Sequence, residues 1–138
     1  MNFKNILVPY DNSANSKKAL KQAFVLASLS DGKITIIHII SYNKTMSKII
    51  EPYKETVLQH IKKFMNEIER DASRIDIPIS EEILYGNPVE KILDLMKKKS
   101  FDIVIIGRRG TNKLIGPSLG SVSNAIIQKS KVPVLVII

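Results

Sequence analysis

The stretch of residues 101–123 limits most strongly what this chain can fold into. It reads FDIVIIGRRGTNKLIGPSLGSVS and opens with an unbroken, mostly β-branched apolar run at 103–106, which is typical of a strand buried on both faces of a parallel sheet. Four of the six glycines follow within fourteen residues, and the pattern then predicts a helix from Ser121. Glycine lets backbone N–H groups approach a ligand closely, and the first turn of a helix has unpaired N–H groups at its positive dipole end. The stretch therefore predicts an anion site at a strand–loop–helix junction.

Other apolar runs predict four more strands, at residues 4–9, 33–40, 79–85 and 132–138. Apolar spacings of three and four predict helices over 14–30, 51–73 and 88–99, while 41–50 has no period and is predicted to be a loop. Because five strands alternate with four helices, we expect a parallel α/β sheet with right-handed crossovers and helices on both faces. Ligands of such folds bind beyond the carboxyl ends of the strands, where the strand order reverses.

Length and composition predict one soluble domain over residues 1–138, with 44% hydrophobic and 25% charged residues. No apolar run is long enough to span a bilayer and the N-terminus lacks the pattern of a signal peptide, so we expect a cytoplasmic protein. The absence of cysteine excludes disulfides, thiolate metal sites and cysteine nucleophiles. The two histidines, His38 and His60, are far apart in sequence, which argues against a zinc site.

The net charge of +8 and the pI near 9.7 favour an anionic partner, which the sign of the charge does not identify. Lysine clusters at 17–18, 62–63 and 97–99 are predicted to be solvated faces of helices. Tryptophan is absent and the other aromatic residues are scattered, so the stacking that binds single-stranded nucleic acid is not expected. Nucleic acid is thus not the partner that the sequence favours.

Six segments, in the same order along nearly the whole chain, resemble the universal stress protein family: ILVPYDNS, IIHII, YGNPVEKIL, DIVIIGRRG, GSVSNAII and KVPVLVI. The glycine spacing Gly107-x2-Gly110-x9-Gly120-Ser121 is similar to that of the ATP-binding branch of the family. It is neither a Walker A loop nor a Gly-x-Gly-x-x-Gly dinucleotide turn. The resemblance implies a Rossmann-like fold of the adenine nucleotide alpha hydrolase type, with the strand order 3-2-1-4-5.

The resemblance also implies a site, a cofactor and an assembly. ATP would be bound with Mg²⁺ or Mn²⁺ held by its phosphates, Ile39 would meet the adenine through its backbone, and the last strand, Val134 to Ile138, would pair across a homodimer. A protein partner is a further possibility. The residues implied in nucleotide binding are Pro9, Asp11, Ile39, Ile106, Gly107, Arg109, Gly110, Gly120, Ser121, Val122 and Ser123.

Several of these residues have a structural alternative. Asp11 could be a turn or cap residue instead of a ligand of ribose or a metal, and Ser121 and Ser123 could be helix caps alone. Arg108-Arg109 stands where relatives often have a smaller residue or an imidazole. His38 is predicted to be a satisfied core histidine.

The sequence offers donors for a phosphate but no identifiable base for its hydrolysis. We therefore expect an ATP-binding stress or signalling module with at most slow hydrolysis, and whether it is an enzyme stays open. The alternative is a basic interaction protein that binds nucleic acid or an acidic protein on the same scaffold without nucleotide. A small-molecule enzyme would need a nucleophile or an acid–base pair, neither of which is recognisable.

Overall fold

The computed structural model describes residues 2–41, 51–109 and 120–138, so the predictions made for 42–50 and for 110–119, including Gly110, lie outside the described residues. The strands are β1 (Asn5–Pro9), β2 (Lys33–Ser41), β3 (Ile79–Gly86), β4 (Ile103–Gly107) and β5 (Val134–Ile137). The helices are α1 (Ala14–Ser30), α2 (Lys54–Arg74), α3 (Pro88–Lys98) and α4 (Ser121–Lys129). A 3-10 turn, Glu51–Tyr53, precedes α2.

Element boundaries depart from the sequence prediction by a few residues, for local reasons. The last strand begins at Val134 and not at Val132, since Pro133 has no N–H to donate to the sheet. The carbonyl of Pro133 still accepts from the Val104 N–H, at 3.0 Å. The long predicted helix starts as the 3-10 turn before it becomes regular at Lys54.

All five strands form one parallel sheet in the order β3-β2-β1-β4-β5. This confirms the α/β class and the predicted strand order. The chain runs outward from β1 to β3 on one side and from β4 to β5 on the other, so the order reverses between β1 and β4. The strand β3, whose sequence ISEEILYG is more polar than those of the other strands, lies at an edge of the sheet.

The apolar strands are buried because helices cover both faces of the sheet. On one face, Ile6, Val8 and Ile36 pack with α1 and α2 in a cluster that includes Ala23 and Ile68. The opposite face packs with α3 and α4 through a second cluster, which contains Leu7, Ile37, Val104, Ile106, Ile92 and Ile126. Successive strand residues thus alternate between two apolar layers, which explains why β1, β2 and β4 show no polar alternation.

Candidate functional site

The end of β4 lies directly against the first turn of α1, and the contact point is Gly107. A Cβ atom at Gly107 would be 2.7 Å from Asn15 Cβ and 2.8 Å from the Asn15 carbonyl carbon. Those distances leave no room for a side chain. The glycine therefore lets the carboxyl ends of β4 and β1 come together with the start of α1.

Ser123 ties the start of α4 to the end of β4. Its hydroxyl oxygen lies 2.7 Å from the Gly107 carbonyl oxygen and 3.0 Å from that of Arg108, and the single hydroxyl proton is shared between them. The Gly120 N–H also donates to the Arg108 carbonyl, at 2.8 Å. Because the Ser123 side chain is buried and donates inward, a contact between Ser123 and a phosphate would have to use its backbone N–H.

The first turn of α4, like that of α2, has no side-chain cap, in contrast to those of α1 and α3. In α1, Ser13 Oγ accepts from the Ser16 N–H at 3.2 Å, and in α3, Asn87 Oδ1 accepts from the Glu90 N–H at 3.1 Å. The N-cap residue of α4 is Gly120, which has no side chain to accept from the helix. Among the described residues, no side chain therefore caps the first-turn N–H groups of α4, which lie at the positive end of the helix dipole.

The exit of β1 forms a tight turn on the same edge. The Tyr10 N–H donates to the Ile37 carbonyl at 2.9 Å, which holds the exit against β2. Asp11 is exposed, and its Oδ1 accepts from the Ser13 N–H at 3.0 Å, while Asn12 has a φ of 62°. Asp11 thus has the turn-forming contact that its sequence allowed as the alternative to ligand binding.

Three predicted apolar site residues reach this edge through their backbones. Pro9 is the last residue of β1 and is in register with Ile37, so Ile39 lies two residues further along the neighbouring strand. The Ile106 side chain packs in the core on the α3–α4 face and is 5% exposed, which leaves its main chain to meet a ligand. All the described predicted residues are therefore on the carboxyl edge of the sheet, around the β1–β4 reversal.

Arg108 has a structural role that the sequence did not reveal. Its N–H donates to the Ile137 carbonyl at 2.8 Å, and its own carbonyl accepts from Gly120 and Ser123. One backbone unit thus joins β4, β5 and α4. Its Nε is buried without a hydrogen-bond partner in the described part of the chain. The only available signal in the sequence was its position directly after a strand-ending glycine.

A buried polar pair lies next to Tyr10, which belongs to the apolar cluster under α1 and α2. His38 Nε2 is 2.9 Å from Glu81 Oε1, both side chains are at most 3% exposed, and the Tyr10 ring contacts the imidazole edge-on. This contact confirms the prediction of a satisfied core histidine. Burial raises the pKa of Glu81 despite the opposing hydrogen bond from His38. Burial, with nearby carboxylates, also raises the pKa of Tyr10 to about 12.

Among residues 2–41, 51–109 and 120–138, no group of three or more His, Asp or Glu side chains is arranged to hold a metal ion. No helix in the same ranges is long and apolar enough to cross a membrane.

The fold defines a class: Rossmann-like α/β proteins with a parallel sheet in which the strand order reverses between β1 and β4. Within that class, the sequence profile of the Universal stress protein family matches residues 2–137. The chain belongs to the universal stress protein family, which confirms the resemblance found in the sequence.

Individual relatives agree with this assignment. Universal stress protein MJ0577 of Methanocaldococcus jannaschii is 26% identical, over 98% of this chain and 94% of its own length. Universal stress protein YxiE of Bacillus subtilis is 27% identical, over 98% of this chain and 99% of its own length.

Solved structures show the same fold. Universal stress protein UspA from Lactobacillus plantarum superposes with a TM-score of 0.89 at 22% identity, covering 100% of this chain and 99% of that one. A universal stress protein in complex with cAMP superposes at 0.73 with 23% identity, covering 99% and 98% of the two chains. A family member from Arabidopsis thaliana with AMP bound superposes at 0.64 with 20% identity, covering 97% and 90%.

Proposed function

We propose that this protein binds an adenine nucleotide, with ATP as the expected ligand, at the carboxyl edge between β1 and β4, and acts as a nucleotide-dependent stress or signalling module. The observation that carries the proposal is the uncapped first turn of α4, held against the end of β4 by Gly120 and Ser123. Backbone N–H groups at a helix start suit the oxygens of a phosphate. The solved relatives with cAMP and AMP support adenine as the base.

The remaining contacts follow from the positions of the other residues. The backbone of Ile39 would meet the adenine, and the exposed carboxylate of Asp11 would face the ribose. The N–H groups of Ser121, Val122 and Ser123 would bind phosphate oxygens, with Arg109 beside them, and Mg²⁺ or Mn²⁺ would be carried on the phosphates. Gly110 keeps its sequence-based place in the loop as a prediction.

Ser121 offers a sharp test, because it is the first residue of α4. Proline is tolerated at this helix position, and the ψ of 159° at Gly120 suits a following proline, so Ser121→Pro removes one N–H and keeps the helix. Ser121→Ala removes the hydroxyl but keeps the N–H. In calorimetric titration with Mg-ATP, we expect Ser121→Pro to weaken binding by about 30-fold, or about 2 kcal/mol, and Ser121→Ala to weaken it by less than about 5-fold.

Thermal melting of both variants serves as the check on folding. Equal affinities for Mg-ATP in the wild type and in Ser121→Pro would contradict a phosphate site at α4. Rapid ATP turnover by the purified protein, abolished by Asp11→Ala, would contradict a module with at most slow hydrolysis.

The single domain, the cytoplasmic location and the homodimer stay predictions. The homodimer is supported by β5, which pairs with β4 on one side and leaves its other edge unpaired among the described strands, with Leu135 41% exposed. Light scattering tests it, and a monomeric mass at the highest soluble concentration would contradict it.

A further inference from the structure

The positive charge of this chain is concentrated in its last third. Residues 95–138 contain eight lysines and arginines and one acidic residue, Asp102, whereas residues 1–94 contain thirteen basic and twelve acidic residues. Arg109 belongs to the proposed nucleotide site, the backbone of Arg108 joins β4, β5 and α4, and Lys113 lies outside the described residues. The other five lysines of this segment lie at the ends of α3 and α4 and in the connections that lead into β4 and β5.

The fold gathers these lysines at the amino edge of the sheet, opposite the candidate nucleotide site. Backbone hydrogen bonds run along this edge from the Lys33 N–H to the Lys4 carbonyl, from the Asp102 N–H to the Asn5 carbonyl, and from the Val104 N–H to the Pro133 carbonyl. α3 and α4 pack side by side and both end here, each five residues before the next strand. We name as the basic edge the exposed lysines that precede β1 or lie at the ends of α3 and α4 and in the connections after them: Lys4, Lys97, Lys98, Lys99, Lys129 and Lys131.

The acidic side chains nearby leave most of this charge available. Asp102 Oδ2 accepts from the backbone N–H groups of Lys4 and Asn5, at 3.0 and 2.8 Å, so it is occupied by main chain. Within the described residues, Lys99 is the one member of the basic edge in an ion pair, at 3.1 Å from Glu82. Lysines near helix C-termini are favourable in themselves, but Lys4 and Lys131 lie outside any helix.

We propose that the basic edge binds the phosphate backbone of duplex nucleic acid without reading its sequence. Packed helices lie roughly 8–10 Å apart, which is close to the width of about 12 Å of the major groove, so the ends of α3 and α4 can place lysines beside phosphates on both sides of a groove. Lysine is a point charge that neutralises phosphate, and the basic edge contains no arginine fork or aromatic ring for base recognition.

The same geometry argues against an anionic bilayer. The large exposed aliphatic side chains near the amino edge are Leu29 and Ile75, at the ends of α1 and α2, and Ile127, in the last turn of α4. Leu29 and Ile75 are each within two residues of an exposed aspartate, Asp31 or Asp76, which anionic lipid would repel. Of these three, Ile127 alone is on a helix of the basic edge, so the described residues there offer one aliphatic side chain for insertion into a bilayer.

Fluorescence anisotropy of a labelled 20-base-pair duplex of arbitrary sequence, titrated at several NaCl concentrations, tests the proposal. We expect a slope of log K against log[NaCl] of about −4, which falls to about −1 when Lys97, Lys98, Lys129 and Lys131 are all changed to Gln. The control variant changes Lys21, Lys62, Lys63 and Arg70 to Gln. These residues are exposed on α1 and α2, so the control variant loses the same charge away from the basic edge. The salt slope of the control variant should stay near −4.

Saturating Mg-ATP should leave duplex affinity unchanged, because the two edges are opposite. An equal loss of affinity in both quadruple variants would overturn it in favour of net charge alone. Displacement of the duplex by ATP, or tighter binding of a single strand, would also overturn it. A third result would overturn the proposal: no binding to the duplex, together with binding to polyglutamate or to phosphatidylserine vesicles that the basic-edge variant loses. The partner of the basic edge would then be an acidic protein or a membrane.

Discussion

At the carboxyl edge of the sheet a serine hydroxyl donates to two backbone carbonyls, whereas at the amino edge an aspartate accepts from two backbone N–H groups. The Ser123 hydroxyl donates to carbonyl groups, so it does not cap the N–H groups at the start of α4. The Asp102 carboxylate accepts from backbone N–H groups, so the lysine side chains near it keep their charge unpaired by this aspartate. Both edges are thus suited to anions, but they would attract them through different groups.

The difference has physical consequences for selectivity. Backbone N–H groups are fixed in direction by α4 and act at short range, so a site built from them discriminates by geometry and is weakly affected by salt. Flexible lysines act as point charges, so binding to them is screened by salt and tolerates many phosphate arrangements. The comparison predicts two independent anion-binding surfaces on one sheet.

The largest expected effect on stability comes from changing a closely packed glycine at either edge, and ATP binding should distinguish the two variants. Gly107→Ala places a Cβ against Asn15 at 2.7 Å, and we expect it to lower the free energy of unfolding by about 3 kcal/mol and to abolish ATP binding. Gly32→Ala at the amino edge meets the Ser30 hydroxyl at 2.8 Å and backbone carbonyls at 3.0 Å, so we expect a cost of about 2 kcal/mol with ATP binding kept. Urea unfolding and calorimetry measure both. Loss of ATP binding in Gly32→Ala would show that the edges are coupled.

The next largest effect is expected from removing the side chain that hydrogen-bonds to the main chain at each edge, Asp102 at the amino edge and Ser123 at the carboxyl edge. Asp102→Ala should cost about 2 kcal/mol, because two hydrogen bonds to a charged acceptor are lost. Ser123→Ala should cost about 1 kcal/mol, since the Arg108 carbonyl still accepts from Gly120. Ser123→Ala should weaken ATP binding and leave duplex binding intact. Asp102→Ala should leave ATP binding intact and strengthen duplex binding, because it removes a negative charge from among the lysines. The same ligand affected by both variants would contradict the separation.

The sequence predicted those parts of the molecule that depend on local pattern. Continuous apolar runs gave β1, β2 and β4 correctly because strands covered on both faces need no polar alternation. The strand, glycines and helix start around Gly107 and Gly120 are contiguous in sequence, so the junction was recognisable before the fold was known.

Contacts between distant segments could not be predicted in the same way. Asp102 and Lys4 are 98 residues apart, and His38 and Glu81 are 43 apart, so their contacts depend on strand order and register. The hydroxyl of Ser123 was a candidate for phosphate binding or for a cap. Its direction toward Gly107 and Arg108 follows from how α4 packs on β4, which no local pattern records.

The smallest effect is expected between the edges, at the buried Glu81. Burial raises the pKa of Glu81 and the His38 hydrogen bond partly offsets that rise, so the folded chain holds this proton more tightly than the unfolded chain does. Tyr10 and Glu69 are the other titratable groups beside this pair. The stabilisation is fully present below the ordinary carboxyl pKa of 4.5 and is lost as pH rises through the raised value.

Urea unfolding of the wild type and of Glu81→Gln from pH 4 upward measures this loss, with roughly one-unit steps across the carboxyl range. Gln keeps a neutral side chain at every pH, so we expect the wild type to lose stability relative to Glu81→Gln as pH rises. Glu55→Gln is the matched control on the exposed surface of α2, away from the pair, and its curve should run parallel to that of the wild type. Parallel curves for Glu81→Gln and the wild type would contradict the raised pKa. A pH-dependent change in ATP or duplex binding that disappears in Glu81→Gln would show that the middle of the sheet couples its two edges.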